Sequence, residues 1–311
     1  MSFHSLCTVV TDYPRQTGNG NLQPQDHRVA FKVEPPNIPA TTIQRLEQFA
    51  NGSGGLGDVW KCSMSTQSET RTVAVKSIRV PHTSDIELVK RTCKRIRREA
   101  YVWIKMSHDH ILPFEGVTED FGPLPALVSP WMENGSLNDY LRREFSKLSD
   151  HRKLELIQQV ASGLSYLHGR DIVHGDLTGT NVLVDSSGRL RLADFGLSII
   201  LAEAENTTFN SCHPGNTRWM APEALGDEKP TKAGDIYSYG CVMLQIFSGK
   251  KPYETIKSAF AVMSAVFEGR EPFDGIQSYG VYGQLSTRCL NRISAERPTI
   301  DHIMQVLGPK N

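Results

Sequence analysis

The stretch HGDLTGTNVLV (residues 174–184) places an acid and an amide, Asp176 and Asn181, just before an apolar segment typical of a strand. A second segment, LADFG (192–196), places Asp194 after another apolar run. Mg²⁺ prefers oxygen ligands and keeps phosphate oxygens in its shell, so Asn181 and Asp194 are candidates to share such an ion. Asp176 is then available to accept a proton from an attacking hydroxyl. A lone aspartate in a loop is more often a turn residue, but two acid-bearing loops at this spacing weaken that interpretation.

A glycine cluster lies upstream of these acids. Gly52, Gly54 and Gly57 in NGSGGLGDV follow the pattern G-x-G-x-x-G-x-V, which alone is a weak signal because glycine-rich turns are common. A dinucleotide-binding fold would place a helix next and an acid about 20 residues later. Here strand-like residues follow, and Lys76 stands 19 residues after Gly57. The pattern therefore favours a hairpin whose backbone closes over phosphates.

The segment VAVK (73–76) predicts a strand that ends in a lysine. Alternation sends Val73 and Val75 to one face and Ala74 and Lys76 to the other. On the next helix Glu99 borders the apolar stripe and could turn inward to hold Lys76, leaving the ammonium to meet α- and β-phosphates. Taken singly, each of these two charged residues would more often be a solvated surface group.

The order of patterns predicts two lobes with a cleft between them. The first part is strand-rich and carries one helix, whose stripe repeats in steps of three and four residues at Val89, Cys93, Ile96, Ala100 and Trp103. Helical periodicity dominates the second part, and one apolar face there is formed by Leu154, Ile157, Val160, Ala161, Leu164 and Leu167. Residues 1–40 are polar and lack sustained periodicity, which predicts a flexible amino-terminal arm.

Composition is typical of a globular protein in a reducing compartment. The 34 basic and 34 acidic residues cancel, so the overall charge gives no sign of nucleic acid or of an anionic membrane as a partner. The six cysteines are scattered without a CxxC pair, which favours free thiols over a disulfide framework or a zinc site. No targeting segment or stretch of membrane-spanning length is present, so we expect a cytoplasmic protein.

Taken together, these motifs resemble a eukaryotic protein kinase domain from about Leu46 to Leu307, most closely the tyrosine-kinase-like group of serine/threonine kinases. The resemblance also rests on RWMAPE (218–223), DIYSYG (235–240) and ERP (296–298). It implies an α+β bilobal fold, with a β-rich N-lobe at about 41–130 that holds one regulatory helix and an α-helical C-lobe at about 135–311. By the same analogy Glu223 should pair with Arg297, and Asp235 should brace the catalytic loop.

The resemblance implies ATP and Mg²⁺ as cofactors and assigns roles to the candidate residues. Asp176 would be the catalytic base, Lys76 would position phosphates, Glu99 would orient Lys76, and Asn181 and Asp194 would hold the metal. Adenine would meet the carbonyl of Pro130 and the amide of Met132, with Ser129 at the gatekeeper position and Leu183 beneath the base. The full nucleotide-binding set is Gly52, Gly54, Gly57, Val59, Ala74, Lys76, Ser129, Pro130, Met132 and Leu183.

Three positions depart from the family pattern. Gly175 replaces an arginine that pairs with a phosphate on the activation segment, which suggests that phosphorylation there is not the main switch. Thr178 replaces a lysine that contacts the transferring phosphoryl group; tyrosine kinases place an arginine there or at the position of Thr180. Asn216 replaces a serine or threonine. One missing electrostatic contact costs on the order of 10² to 10³ in rate, so we expect a slow enzyme rather than a dead one.

Three functions fit these residues. The first is a kinase that transfers the γ-phosphate of ATP to serine or threonine hydroxyls of proteins, in intracellular signalling. A second is a weakly active or inactive pseudokinase that binds ATP as a scaffold, which Thr178 favours. A third is a small-molecule kinase of the aminoglycoside or choline type, which shares the His-Gly-Asp-Leu-x-x-x-Asn pattern but lacks the WMAPE segment. The sequence indicates no particular oligomeric state.

Overall fold

The computed structural model describes residues 35–54, 57–78, 89, 93, 96, 100–122, 124–195, 216–226, 229–274 and 280–308. These residues form an amino-terminal sheet followed by a helical carboxy-terminal part. The strands are β1 (Ile43–Arg45), β2 (Gly52–Gly54), β3 (Gly57–Ser65), β4 (Thr70–Ile78), β5 (Gly116–Thr118), β6 (Ala126–Pro130), β7 (Val182–Val184) and β8 (Leu190–Leu192). The α-helices are α1 (Leu137–Glu144), α2 (Asp150–His168), α3 (Lys232–Ser248), α4 (Ala259–Phe267), α5 (Gly280–Cys289) and α6 (Ile300–Leu307). Short 3₁₀ helices occur at Ala40–Thr42, Phe145–Lys147, Glu223–Gly226 and Ser294–Glu296.

The large sheet is antiparallel, with strand order β1-β3-β4-β6-β5 and with β2 also paired to β3. Alternation along β4 confirms the prediction made from VAVK. Val73 and Val75 are fully buried in the cluster on one face of the sheet, whereas Lys76 pairs with Val59 and Ala74 with Lys61 in the register of the hairpin. The second sheet is the β7–β8 hairpin, which carries the segments that flank Asn181 and Asp194.

The predicted helix after β4 is present at the stripe positions that are described. Val89, Cys93, Ile96 and Ala100 are all helical. Cys93, Ile96 and Ala100 are buried in the main core together with Trp103, and Val89 packs against it. The helix therefore turns its apolar stripe toward the core, as the spacing of those residues indicates.

Residues 36–38, at the end of the predicted amino-terminal arm (1–40), pair with the sheet lobe. The amide of Ile38 donates to the carbonyl of Val117 at 2.7 Å, and the amide of Val117 donates to the carbonyl of Pro36 at 2.8 Å. Residues 36–38 thus lie along β5 as part of the folded sheet lobe, because β5 is an edge strand with backbone groups to satisfy. The rest of the predicted arm, before residue 35, lies outside the described residues.

The helical lobe is built around α2 and α3. The predicted face of α2 is confirmed: Ile157, Val160, Ala161, Leu164 and Leu167 are fully buried, and Leu154 is partly buried against the same core. Each of the two helices begins at a hydroxyl cap, since Ser149 accepts from the amide of Arg152 and Thr231 from that of Gly234. The predicted two-lobed α+β architecture is confirmed.

Two further expectations concern cysteines and membranes. Cys62, Cys93, Cys241 and Cys289, the four cysteines that are described, are free and buried. Among the described helices, none has both the length and the apolar character needed to cross a bilayer.

Candidate active site

The glycine cluster forms the predicted hairpin. Gly52 pairs with Val59, and Gly54 pairs with Gly57, across β2 and β3; residues 55 and 56 at the tip are outside the described residues. A β-carbon on Gly57 would overlap the backbone carbonyl of Ser77 on β4. Glycine at this position therefore lets the hairpin approach β4 more closely than any side chain would allow.

Lys76 connects the sheet lobe to the segment after β8. Its ammonium donates to Oδ1 of Asp194 at 2.5 Å, across 118 residues of sequence. The Lys76 side chain is largely buried, whereas that of Asp194 is 31% exposed, so the carboxylate stays open to solvent. The predicted partner Glu99 lies outside the described residues.

Asp235 on α3 holds the loop that carries the catalytic candidates. Its carboxylate accepts the amides of His174 and Gly175 at 2.8 and 2.7 Å, and it pairs with Nε2 of His168 at 2.8 Å. Gly175 has a φ of 71°, a left-handed conformation that costs glycine little. The predicted brace is confirmed, and it places the following residue, Asp176, at the end of a rigid support.

The carboxylate of Asp176 is held by two side-chain amides. Asn181 donates to its Oδ2 at 2.8 Å, and Asn216 donates to Oδ1 and Oδ2 at 2.7 and 2.9 Å. Burial raises the pKa of Asp176 to about 7, and the nearby charge of Asp194 acts in the same direction. The hydrogen bonds from the two amides and the charge of Lys76 lower the pKa and limit the rise. A carboxylate whose pKa lies near neutrality is suited to accept a proton.

Asn181 and Asp194, the candidate metal ligands, are brought together by the backbone. The amide of Ala193 donates to the carbonyl of Asn181 at 2.8 Å, which puts the residue before Asp194 directly against Asn181. The side-chain amide nitrogen of Asn181 bonds to the carbonyl and carboxylate of Asp176, so its other terminal atom, Oδ1, is the one suited to bind a cation. Within the described residues no group of three or more His, Cys, Asp or Glu side chains could hold an ion. A metal at this pair would complete its shell with phosphate oxygens.

Thr178 occupies the position where the resemblance would place a cation, and it turns inward. It is 1% exposed, and its hydroxyl accepts the amides of Thr180 and Asn181 at 3.2 and 3.3 Å. The side chain thus stabilises the turn that carries Asn181. The departure noted in the sequence is a structural cap.

The predicted hinge begins at the end of β6. Ser129 is buried and pairs with Ala74 of β4, and Pro130 pairs with Val73. Met132 is buried just beyond the strand. Leu183 of β7 is half-buried and bridges to Ser136 at the start of α1. Small side chains at Ala74 and Ser129 therefore adjoin each other where the resemblance places the adenine slot.

A chain of polar side chains that sequence reasoning missed runs from buried Trp219 to exposed Thr180 and links the 216–220 segment to the catalytic loop. Trp219 donates from Nε1 to Gln245 at 3.1 Å, Gln245 donates to Asn138 at 2.6 Å, and Asn138 donates to Thr180 at 3.0 Å. A β-carbon on Gly179 would overlap both Asn138 and Gln245. The periodicity of the sequence cannot indicate these hydrogen bonds, because the four residues that form them come from four separate segments.

Most of the chain matches known protein kinases. The family model described as protein tyrosine and serine/threonine kinase matches residues 47–307. Ephrin type-A receptor 5 of Gallus gallus is 31% identical over 286 residues, which cover 90% of this chain and 27% of the receptor. Serine/threonine-protein kinase STY46 of Arabidopsis thaliana is 28% identical over 255 residues, or 82% of this chain and 42% of the relative. The probable serine/threonine-protein kinase kinX of Dictyostelium discoideum is 32% identical over 212 residues, or 67% and 18%. The chain thus spans less than half the length of these relatives.

Proposed function

Because this chain belongs to the protein tyrosine and serine/threonine kinase family, we propose that it transfers the γ-phosphoryl group of ATP to serine or threonine hydroxyls of proteins. The observation that carries the proposal is the cluster formed by Asp176, Asn181, Lys76 and Asp194. Asn181 bonds to the base candidate at 2.8 Å, and Lys76 contacts Asp194 at 2.5 Å. A base, two oxygen ligands and a phosphate-binding cation are the groups that phosphoryl transfer requires.

In the proposed reaction, the hydroxyl oxygen of the substrate attacks the γ-phosphorus of ATP. The bond from that phosphorus to the bridging oxygen breaks, and ADP leaves with the bonding electrons. Asp176 accepts the hydroxyl proton, for which its pKa of about 7 is suited. Lys76 would bind the α- and β-phosphates, with Glu99 as its orienting partner.

The remaining site residues would bind the metal and the nucleotide. Asn181 and Asp194 would hold Mg²⁺, which supplies charge neutralisation at the β- and γ-phosphates when bound. Pro130 and Met132 would meet adenine through one carbonyl and one amide. The other members of the nucleotide site would be Gly52, Gly54, Gly57, Val59, Ala74, Ser129 and Leu183.

Two observations bear on the choice of acceptor, and a third bears on the expected rate. Glu223 in RWMAPE forms an ion pair with Arg297, a tie between segments that small-molecule kinases of similar pattern lack. The absence of a cation at Thr178 lowers the expected rate of transfer but leaves the proposed base, Asp176, in place. Two relatives carry serine/threonine kinase in their names, which favours an aliphatic hydroxyl of a protein as the acceptor.

The test is transfer of labelled γ-phosphate from Mg²⁺-ATP to peptides that bear serine, threonine or tyrosine, and to small amino alcohols. Asp176→Asn serves as the control for the base. Label on serine or threonine that depends on Asp176 supports the proposal. Label on tyrosine alone or on an amino alcohol would reassign the acceptor. Nucleotide binding without any transfer would favour the function of an ATP-binding scaffold.

A further inference from the structure

Asn216 makes the closest side-chain contact to the proposed base from outside the catalytic loop. Its Nδ2 lies 2.7 Å from Oδ1 and 2.9 Å from Oδ2 of Asp176, across 40 residues of sequence. No other described side chain outside that loop donates a hydrogen bond to the Asp176 carboxylate. One amide group thus spans both oxygens of the carboxylate and restricts its rotation.

The backbone of Asn216 is itself held in place. The amide of Trp219 donates to the carbonyl of Asn216 at 3.1 Å, closing a turn. Trp219 is buried against α3, where Ser238 donates to its carbonyl at 2.8 Å and Gln245 accepts from its indole nitrogen at 3.1 Å. The Asn216 amide therefore reaches Asp176 from a turn that is anchored on the same helix as Asp235.

The charge of the loop explains why an amide donor matters here. Thr178 and Thr180 are neutral, and the Thr178 hydroxyl is occupied by backbone amides. The described donors to the carboxylate are then the two amides of Asn181 and Asn216. A carboxylate offers roughly four acceptor positions. Oδ2 accepts both amides and Oδ1 accepts one, so Oδ1 keeps a position for a substrate hydroxyl.

We propose that Asn216 is a positioning residue for phosphoryl transfer, whose amide orients the Asp176 carboxylate so that Oδ1 receives the hydroxyl proton. This inference rests on the proposed function. Because the turn at 216–219 is anchored on α3, the orientation of the Asp176 carboxylate then depends on docking of that segment against the helix.

The test measures kcat and KM for peptide and for ATP in Asn216→Ala, Asn216→Asp and Asn216→Thr. A misplaced catalytic group costs about 10²-fold, so we expect Asn216→Ala to lower kcat by about that factor with both KM values and the melting temperature unchanged. Asn216→Asp should be at least as impaired, because it sets a second carboxylate of the same shape against Asp176. Asn216→Thr restores a donor and should recover part of kcat.

Asn291→Ala is the matched control, since Asn291 lies in the loop after α5 and, among the described residues, its side chain accepts the amide of Ile293. Wild-type kcat in Asn216→Ala, a loss of kcat that follows a loss of melting temperature, or no recovery in Asn216→Thr would overturn the inference. The wild-type chain and Asp176→Asn are assayed in parallel. If the wild-type chain transfers no phosphate, the proposed function and this inference are both overturned. If transfer depends on Asp176 but is unchanged by substitution of Asn216, this inference alone is overturned.

Discussion

Arg297 and Glu223, 74 residues apart, form a two-pronged ion pair in which Nη1 and Nη2 of the guanidinium lie 2.5 and 2.8 Å from the two carboxylate oxygens. The Arg297 side chain is 1% exposed, and it also donates to the carbonyls of Ala233 and Asn291. The pair therefore ties the 3₁₀ turn after the 216–220 segment to α3 and to the loop that follows α5. The pairing expected from the resemblance is confirmed.

Glu223→Gln should destabilise the fold by about 3 kcal/mol, because removing one partner of a buried pair leaves an uncompensated buried charge. Chemical unfolding monitored by fluorescence measures the change. Glu144→Gln is the matched control, since Glu144 forms an exposed pair with Lys147, and its unfolding midpoint should not move. Equal midpoints for Glu223→Gln and the wild-type chain would contradict the structural role of the pair.

Lys76→Met should lower phosphoryl transfer by on the order of 10² to 10³ or more, because a positioned charge near the phosphates is lost. The melting curve should be unchanged, since the Asp194 carboxylate is 31% exposed and remains solvated without its partner. Lys147→Met removes a lysine that pairs only with exposed Glu144 and should retain full activity. Full activity in Lys76→Met with an intact melting curve would refute the site assignment.

Asn181→Ala should raise the Mg²⁺ concentration needed for half-maximal transfer by at least about 10-fold, and chelation should abolish transfer in the wild-type chain. The physical reason is the loss of the amide oxygen, which is the hard-ligand atom of Asn181. Titration of activity with Mg²⁺ at saturating ATP measures the shift, with Asn291→Ala as the control. Identical Mg²⁺ dependence in Asn181→Ala and the control would rule out Asn181 as a metal ligand.

Gly163→Ala should destabilise the fold even though alanine is the better helix former by about 1 kcal/mol. A β-carbon at this position of α2 would lie 2.7 Å from the carbonyl oxygen of His110 and 3.0 Å from Leu192, and overpacking costs about 1–3 kcal/mol. Gly234→Ala in α3 is the matched helical control, because its β-carbon would meet only the Thr231 hydroxyl at 3.4 Å. Urea unfolding should give a lower free energy of unfolding for Gly163→Ala than for Gly234→Ala. Stabilisation in both variants would show that the contact between α2 and β8 adjusts to the added methyl group without destabilising the fold.

Much of the candidate site was predictable from the sequence, because its chemically reactive residues lie in short motifs. The loop at 174–181, Asp194 and Lys76 were each identified from residue type and spacing, and Asp235 from the resemblance. The pairing of residues 36–38 with the sheet was not predictable, since this segment has no periodicity and its backbone hydrogen bonds with β5 leave no mark in the sequence. Backbone pairing of this kind is independent of side-chain pattern.

Asn216 and Thr178 show a second kind of limit. Both depart from the family pattern, and the pattern alone indicates a missing contact at Thr178 and a replaced hydroxyl at Asn216. In the structure the Asn216 amide reaches Asp176, and Thr178 caps the turn before Asn181. When a residue departs from a motif, the motif indicates only which contact of the usual residue is lost. The contacts that the new side chain makes depend on the residues that surround it in the fold.

The sequence by itself determined the two-lobed architecture, the family and the residue types available for the chemistry. These follow from hydrophobic periodicity and from motifs whose members lie within a few residues of one another. Only the tertiary structure decided which donors hold the Asp176 carboxylate, how Trp219 is connected to Thr180, and that Lys76 contacts Asp194. The contact of Asn216 with Asp176 joins residues 40 positions apart, and that of Lys76 with Asp194 joins residues 118 positions apart. They depend on how helices and strands pack, which sets distances that no local pattern encodes.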